Sequence, residues 1–202
     1  MGREKTKRNL VFKPAFKEFV PENKIYNGTT HLLDEEMEAI YLMDILDLYQ
    51  EEAAISMQVS RPTFTRILKN ARQKLTRALV YGNKISIEDE STSYILAICS
   101  SSKNDFESML ATDEFILIYK IEENDVTLIK TFQNEVFAND SKPAIVLPQV
   151  FLDFNVNVFV SSKIGEGLKN SLLSKGIQAY EKQISSKKDL LTIINSWVKK
   201  DK

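Results

Sequence analysis

The sequence is poor in the side chains that form covalent frameworks and metal sites, since its 202 residues include one cysteine, Cys99, and one histidine, His31. A single cysteine excludes an internal disulfide framework and a zinc site built from several thiolates. One histidine, without suitable partners, also argues against a nucleophilic triad and against a histidine-based zinc site. No catalytic constellation is found, and we expect that the protein is not an enzyme.

Long apolar stretches and a signal-peptide core are also missing. No apolar run approaches the ~20 residues that cross a bilayer, and the amino terminus, MGREKTKRN, is polar. The composition, 43% apolar and 27% charged, is ordinary for a globular protein. We therefore expect a cytoplasmic protein with one large or two small domains.

The net charge of −1 hides a sorting of charges along the first half of the chain. Residues 34–52 hold eight acids and no base, whereas residues 61–77 hold six bases and no acid. A solvated helix face usually mixes both signs, so a long helix with cations alone requires a further explanation. Acids near a helix start complement the helix dipole and need no other role.

Secondary-structure patterns divide the chain near residues 86–92 into two domains, residues 1–90 and residues 91–202. An irregular basic stretch precedes two or three helices, which run from about residue 34 to residue 80. Beyond the boundary, apolar runs such as YILAICS, EFILIYKIE, DVTLIKTF and VNVFVSS predict strands. GEGLKNSLLSKG, with Gly176 as its carboxyl-terminal cap, and KKDLLTIINSWVKK predict helices. The fold class is therefore α+β, with a helical domain followed by an α/β domain.

The stretch QEEAAISMQVSRPTFTRIL, residues 50–68, predicts two helices separated by a tight turn. Ser60 is a suitable N-cap for the second helix, and Pro62 falls in its first turn, where a missing N–H does no harm. At about 100° per residue, the apolar positions of that helix share one stripe. They are Phe64, Ile67, Leu68, Ala71, Leu75 and Ala78. The opposite face is polar and basic, as in a helix-turn-helix whose second helix enters the major groove of DNA. The alternative is an ordinary α-hairpin with a solvated basic helix.

Residues 32–88, from LLDEEMEAIYLMD through QEEAAISMQVSRPTFTRIL to YGNKISIE, resemble a family of small predicted DNA-binding proteins. The helix-turn-helix of that family is similar to region four of sigma factors, and a short strand follows its last helix. The basic arm REKTKR and the lead-in FVPENK also match, so the resemblance covers about residues 1–90. The family commonly has Gly in the turn and Ser or Thr capping the preceding helix, whereas this chain has Gln58 and Tyr49. We expect Gln58 to tolerate a strained backbone at some cost in stability.

The resemblance implies binding to double-stranded DNA and regulation of transcription. The residues that would contact DNA lie on the second helix: Arg61, Pro62, Thr63, Thr65, Arg66, Lys69, Arg72 and Gln73. Arg61, Thr63 and Arg66 would be nearest the base edges, and Arg72 or Lys74 nearer the phosphates, although such cations are also often merely solvated.

The amino-terminal arm, with the cations Arg3, Lys5, Lys7 and Arg8, would reach a groove of DNA. An unstructured basic tail is an equally common alternative. The apolar residues 39–43 need cover on more than one side, either from the arm or from a second subunit. Because a single helix-turn-helix covers few base pairs, we expect a homodimer.

Residues 93–198 resemble the domain of nitrogenase iron–molybdenum cofactor biosynthesis proteins, an α/β fold related to ribonuclease H with a mixed sheet. SSKIGEGLKNSLLSKGI gives the best match. Ligands of α/β sheets bind where strands end and helices begin. The possible ligand-binding residues at such positions are Cys99, Ser100, Ser161, Ser162, Lys163, Ile164 and Gly165. A plain strand-to-helix loop is the alternative.

The resemblance implies an iron–molybdenum-type cluster, but the histidine and cysteine ligands for it are lacking. The His-Phe-Gly-type motif of cluster-binding members corresponds here to Asp105-Phe106-Glu107. Soft metal clusters need thiolate or imidazole ligands, and Cys99, at the end of an apolar strand, suits a core position. We therefore expect no metal and no cofactor, and a second domain that serves for dimerisation or for an unknown small ligand. The rival interpretation is a cluster or cofactor carrier whose basic first domain binds a protein.

Overall fold

Three short strands tie together the two ends of the first domain. The computed structural model describes residues 8–14, 17–23, 25–88, 93–122 and 125–198, and the chain divides into the compact units Met1–Glu90 and Ser91–Lys202. In the first unit, β1 (Glu18–Phe19), β2 (Thr29–Leu33) and β3 (Lys84–Glu88) form a sheet in the order β1-β3-β2. Strand β3 pairs in parallel with β2 and antiparallel with β1. Only β3 is among the predicted strands.

The helices of the first domain lie between β2 and β3. Helix α1 (Asp34–Ile40) continues as a π-helical segment (Tyr41–Ile45), and α2 (Gln50–Ser56) and α3 (Arg61–Tyr81) follow. Helix α3 ends at Gly82, whose φ of 65° suits glycine. The predicted apolar stripe of α3 is confirmed, since Leu75 is half-buried and the other five members are buried. The core of this domain joins α3 to α1 and α2 through residues that include Ala53, Met57 and Phe64.

The amino-terminal arm covers the apolar end of α1. The Phe12 ring stacks on the Tyr41 ring with 4.5 Å between centroids, and Leu10 packs against the same core. Asn9 donates its side-chain amide to the Ser56 carbonyl at 3.0 Å and its backbone N–H to the Met57 carbonyl at 3.4 Å. The arm thus provides the cover that the apolar residues 39–43 require, and these residues no longer argue for a second subunit.

The second domain is built on a mixed sheet, as predicted, and the sheet has five strands. The strands β4 (Ser93–Ser100), β5 (Phe115–Glu122), β6 (Asp125–Gln133), β7 (Val158–Ser161) and β8 (Gln178–Glu181) lie in the order β6-β5-β4-β7-β8. The pairs β4–β5 and β5–β6 are antiparallel, whereas β4–β7 and β7–β8 are parallel. The sheet therefore changes from antiparallel to parallel at β4.

Helices cover both faces of this sheet. They are α4 (Glu135–Asn139), α5 (Pro143–Asp153), α6 (Glu166–Leu173) and α7 (Lys187–Val198). Leu96 and Ile98 of β4 belong to the core that includes α7, while Ala97 and Cys99 belong to the core that includes α4, α5 and α6. Helix α4 is not among the predicted helices. The prediction of Gly176 as the cap of α6 is wrong in detail, because the cap is Ser174 and Gly176, with a φ of 74°, lies in the turn beyond it. None of the described helices has the length and apolar character required to span a membrane.

Candidate nucleic-acid interface

A strained turn connects α2 to α3. The connection consists of residues 57–60, in which Met57 is fully buried and Gln58 has a φ of 55°. The Val59 N–H donates to the Ala54 carbonyl at 3.0 Å and so closes the turn. A left-handed backbone at a residue with a Cβ costs about 1 kcal/mol. The expectation that Gln58 adopts a strained conformation is confirmed.

The start of α3 is held by its own hydroxyl groups. The Ser60 hydroxyl accepts the Thr63 N–H at 3.4 Å, which confirms Ser60 as the N-cap, and it lies 2.8 Å from the Thr63 hydroxyl. Pro62 occupies the first turn. The Thr65 hydroxyl donates to the Arg61 carbonyl at 2.9 Å and lies 3.3 Å from the Gln50 side-chain oxygen. The hydroxyls of both threonines are therefore engaged within the protein.

An exposed stripe of polar and cationic side chains runs along α3 opposite its buried stripe. We call Arg66, Lys69, Gln73 and Arg77 the outer stripe, since spacings of three, four and four residues keep them on one face. All four are exposed. Within the part of the chain that the structure describes, Arg66, Lys69 and Arg77 form no ion pair. The stripe is about 16 Å long at 1.5 Å per residue.

The other cations of α3 face acids. The Arg61 guanidinium lies 3.5 Å from the Glu51 carboxylate. The Lys74 ammonium lies 2.7 Å from the Glu36 carboxylate.

Arg72 is held more firmly, because it donates two hydrogen bonds to Asp44, at 2.6 and 3.3 Å. Those bonds raise the pKa of the Arg72 guanidinium further. The acidic run 34–52 therefore supplies partners for three of the six bases of α3, and the three bases without such partners all lie on the outer stripe.

A groove of about 470 Å³ follows α3 beside the outer stripe. Its lining residues are Gln50, Thr65, Leu68, Lys69, Arg72, Gln73, Thr76 and Arg77. All of them except Leu68 are polar or cationic, so the groove suits an anion better than an apolar ligand. Gln50, Thr76 and Arg77 are absent from the predicted site, although the four-residue spacing from Lys69 through Gln73 identifies Arg77. Gln50 reaches the groove from another helix, which no local pattern reveals.

The arm residues of the predicted site divide into two groups. Arg8 forms an ion pair with Glu35 of α1, so part of its charge is offset within the protein. Arg3, Lys5 and Lys7 lie outside the described residues.

The possible ligand-binding residues of the second domain are mostly engaged within the protein. Ser100 and Ser161 are fully buried, and their hydroxyls donate to the carbonyls of Asp105 at 2.5 Å and Met109 at 2.7 Å. Ser162 also donates to the Met109 carbonyl, at 3.0 Å. Both side chains are buried with their hydroxyl protons already donated within the protein, so neither is accessible to a ligand in this structure, and their part in ligand binding stays a prediction.

The remaining positions lie at the start of α6. The Ile164 side chain is buried and its N–H donates to the Glu181 carboxylate at 2.9 Å. Gly165 is the N-cap of α6, and Lys163 is exposed next to it. Lys163 and Gly165 are thus the accessible members of the predicted set.

Cys99 is a core residue. Its side chain is fully buried between β4 and the helices of one face, and burial raises the pKa of its thiol. The side-chain amide of Asn134 lies 3.8 Å from the Cys99 sulfur and donates to the Asp113 and Ala111 carbonyls at 2.7 and 3.0 Å. The expectation that Cys99 occupies a core position is confirmed. Among the described residues, no three His, Cys, Asp or Glu side chains are arranged to hold a metal ion.

Two protein families match the two parts of the chain. The family described as "Protein of unknown function DUF134" matches residues 1–94, and the family described as "Dinitrogenase iron-molybdenum cofactor" matches residues 93–200.

Curated relatives match the first part of the chain. A UPF0251 protein of Caldicellulosiruptor saccharolyticus is 46% identical over 93 residues, which are 46% of this chain and 65% of that protein. A UPF0251 protein of Caldicellulosiruptor bescii is 48% identical over 81 residues, 40% of this chain and 57% of that protein. The chain thus spans less than two thirds of the length of these two relatives. A UPF0251 protein of Halothermothrix orenii is 37% identical over 113 residues, 53% of this chain and 82% of that protein.

A solved structure described as "Crystal structure of PH0822" covers 42% of this chain and 74% of its own. Its TM-score of 0.34 and its 18% identity are too low for an inference about the fold.

Proposed function

The chain belongs to the dinitrogenase iron–molybdenum cofactor family and, in its amino-terminal part, to the UPF0251 family, and for this two-domain protein we propose sequence-specific binding of double-stranded DNA. Helices α2 and α3 act as a helix-turn-helix, similar to region four of sigma factors, and the protein regulates transcription. The observation that carries this proposal is the outer stripe, because the cations of α3 that form no ion pair with a described residue all lie on its exposed face.

The arrangement of charges supports DNA better than a solvated helix face. A helix face that served only for solubility would mix charges of both signs. Here the cations opposite the core lack acid partners among the described residues, whereas Arg61, Arg72 and Lys74 are paired with acids. An α-helix fits the major groove, which is about 12 Å wide, and a stripe of this length reaches both base edges and phosphates. The polar and cationic groove along α3 adds donors for phosphate oxygens.

We assign different roles to the members of the outer stripe. Arg66 lies one turn from the start of α3, the end that enters the groove, and would donate two hydrogen bonds to guanine. Gln73 would contact a base edge or the adjacent backbone. Lys69 and Arg77 would neutralise phosphates, and such contacts raise the affinity for DNA without distinguishing one base sequence from another. Arg61 and Arg72 contribute less than the sequence alone implies, because Glu51 and Asp44 already offset their charges.

The second domain does not fit an iron–molybdenum cluster. The family implies such a cluster, but the chain has one cysteine and one histidine, and the cysteine is buried in the core. Clusters of this kind need several thiolate or imidazole ligands. We therefore propose that this domain serves for dimerisation or for a small ligand. In a dimer, the two helix-turn-helix units would bind half-sites about one or more helical turns of DNA apart.

The experiment that tests the proposal compares two single substitutions on DNA selected from random sequences. Arg66→Ala should weaken binding to the preferred site by about 1–3 kcal/mol and blur one base position. Lys69→Ala should weaken binding to all sequences alike, because a phosphate contact carries no sequence information. If both variants retain the affinity and the sequence preference of the parent protein, α3 is not the reading helix. Salt-insensitive binding of a protein together with bound iron would favour the rival carrier function.

A further inference from the structure

A buried carboxylate holds the amino-terminal arm. The Glu38 side chain is fully buried on α1, and one of its oxygens, Oε2, accepts the N–H groups of Val11 at 3.0 Å and Phe12 at 2.7 Å. The other oxygen, Oε1, is buried without a hydrogen-bond partner among the described residues. A carboxylate that is buried with one unpaired oxygen costs free energy, so this site disfavours the ionised form of Glu38.

The described part of the arm that Glu38 holds lies, at Asn9, next to the turn between α2 and α3. Three residues before Phe12, Asn9 bonds to the carbonyls of Ser56, the last residue of α2, and Met57, the first residue of that turn. The seven residues that precede Arg8 include three cations and one acid. The clamp on Val11 and Phe12 therefore determines where a cationic segment begins relative to the start of α3.

We propose that Glu38 is a positioning residue that directs the basic arm towards the DNA bound by α3, and that its ionisation controls how firmly the arm is held. The proposal rests on the proposed DNA binding. Glu38 touches no DNA and acts only through the arm. Its ionisation links arm position, and hence DNA affinity, to pH near neutrality.

The charged and titratable groups around Glu38 set the direction of this effect. Burial raises the pKa of Glu38 from 4.5 to about 7, against the hydrogen bonds from Phe12 and Val11 and the charge of Lys13, which lower it. The charge of Asp34 on α1 raises it slightly further. Tyr41 also faces this carboxyl, and burial with the nearby Glu38 charge raises the pKa of its hydroxyl. The net effect favours the protonated acid while the arm is in place.

The sign of the pH dependence follows from exposure of Glu38 when the arm leaves. The released state returns the carboxyl towards its ordinary pKa, so the held state binds protons more tightly, and holding weakens as pH rises. Since the ordinary pKa is 4.5 and the held pKa is about 7, the equilibrium constant for holding falls by at most about tenfold between roughly pH 6 and pH 8.5, and this limit corresponds to complete exposure of the carboxyl on release. The arm is therefore held most firmly at mildly acid pH.

The first test follows the arm by nuclear magnetic resonance in the full chain. The amide signals of Val11 and Phe12 should shift with a midpoint near pH 7 in the parent protein, and this titration should disappear in Glu38→Gln. Glu35→Gln is the matched control, because it removes one carboxylate from the same helix, the partner of Arg8, and leaves the Glu38 clamp intact. If the two amides titrate identically in Glu38→Gln and in the parent protein, Glu38 does not control the arm.

The second test measures DNA affinity over the same pH range. Between roughly pH 6 and pH 8.5, the DNA affinity of the parent protein and of Glu35→Gln should fall by up to about tenfold more than the affinity of Glu38→Gln. Removal of residues 1–7 should abolish this difference between the variants. Superimposable pH profiles for the parent protein and Glu38→Gln, both still binding DNA, would overturn the positioning role. Absence of DNA binding at every pH would instead overturn the proposed function, whereas the amide titration still decides whether Glu38 controls the arm.

Discussion

If the proposed phosphate contacts of the outer stripe are made, substitution of Lys69 and Arg77 should flatten the salt dependence of DNA binding by a calculable amount. Each phosphate neutralised by a protein cation contributes about 0.9 to the slope of log K against log salt concentration. Lys69 and Arg77 are exposed and form no ion pair with a described residue, so each is free to displace a counterion. The double variant Lys69→Ala/Arg77→Ala should therefore reduce the magnitude of the slope by about 1.8 for each chain bound.

The assay is fluorescence anisotropy of a labelled duplex, titrated with protein between about 50 and 200 mM salt. Lys169→Ala is the matched control, since it removes an exposed cation from α6 in the other domain. Arg72→Ala should reduce the slope by less than Lys69→Ala, because Asp44 already offsets the charge of Arg72. A double variant whose slope equals that of Lys169→Ala would refute the assignment of the outer stripe to DNA.

Three further predictions concern the framework of the two domains. Asn134→Ala should lower the free energy of unfolding of the second domain by about 3 kcal/mol in denaturant titration, because it leaves two carbonyls and the start of α4 without their hydrogen-bond partner. A loss below about 1 kcal/mol would show that these bonds contribute little to stability. Gln58→Gly should raise the free energy of unfolding of the first domain by about 0.5–1 kcal/mol, because glycine accepts the positive φ without strain; a decrease would contradict a strained turn. The Cys99 thiol should react with a thiol reagent only on unfolding, because its side chain is fully buried. Protein purified anaerobically after growth with iron and molybdate should carry no stoichiometric cluster. One cluster per chain, lost in Cys99→Ser, would favour the carrier function.

Local rules predict the part of the structure that depends on neighbours along the chain. The N-cap at Ser60, Pro62 in the first turn and the buried stripe of α3 follow from helix geometry, and the structure agrees with each. The positive φ at Gln58 follows from the resemblance, because the family commonly has glycine at this position of the turn. Apolar runs similarly predict β4, β5, β6 and β7 of the second domain, and the position of Cys99 at the end of such a run predicts its burial.

Tertiary contacts account for what the sequence does not reveal. The acids of α1 have the spacing of an ordinary exposed helix start, yet Glu38 is buried because the arm folds over it from residues far away in the chain. Gln50 joins the groove along α3 only through the packing of α2 against α3. Strand β2 lacks a strong apolar alternation and is stabilised by parallel pairing with β3, more than fifty residues later.

The candidate ligand site of the second domain also depends on tertiary contacts that the sequence does not reveal. The strands β4 and β7 pair in parallel, so their carboxyl ends lie at the same edge of the sheet. Sequence cannot show that the hydroxyls of Ser100 and Ser161 are already bonded to backbone carbonyls. A position at a strand end therefore identifies where a ligand could bind, and only the hydrogen-bond partners decide which side chains are available.

The most direct test of DNA reading by α3 is selection of bound sequences from random double-stranded DNA with the purified full chain, in parallel with Arg66→Ala. The account predicts that the parent protein enriches one defined motif and that Arg66→Ala loses preference at one base position within it. Enrichment of no motif by the parent protein, or an identical motif and affinity for Arg66→Ala, would contradict it.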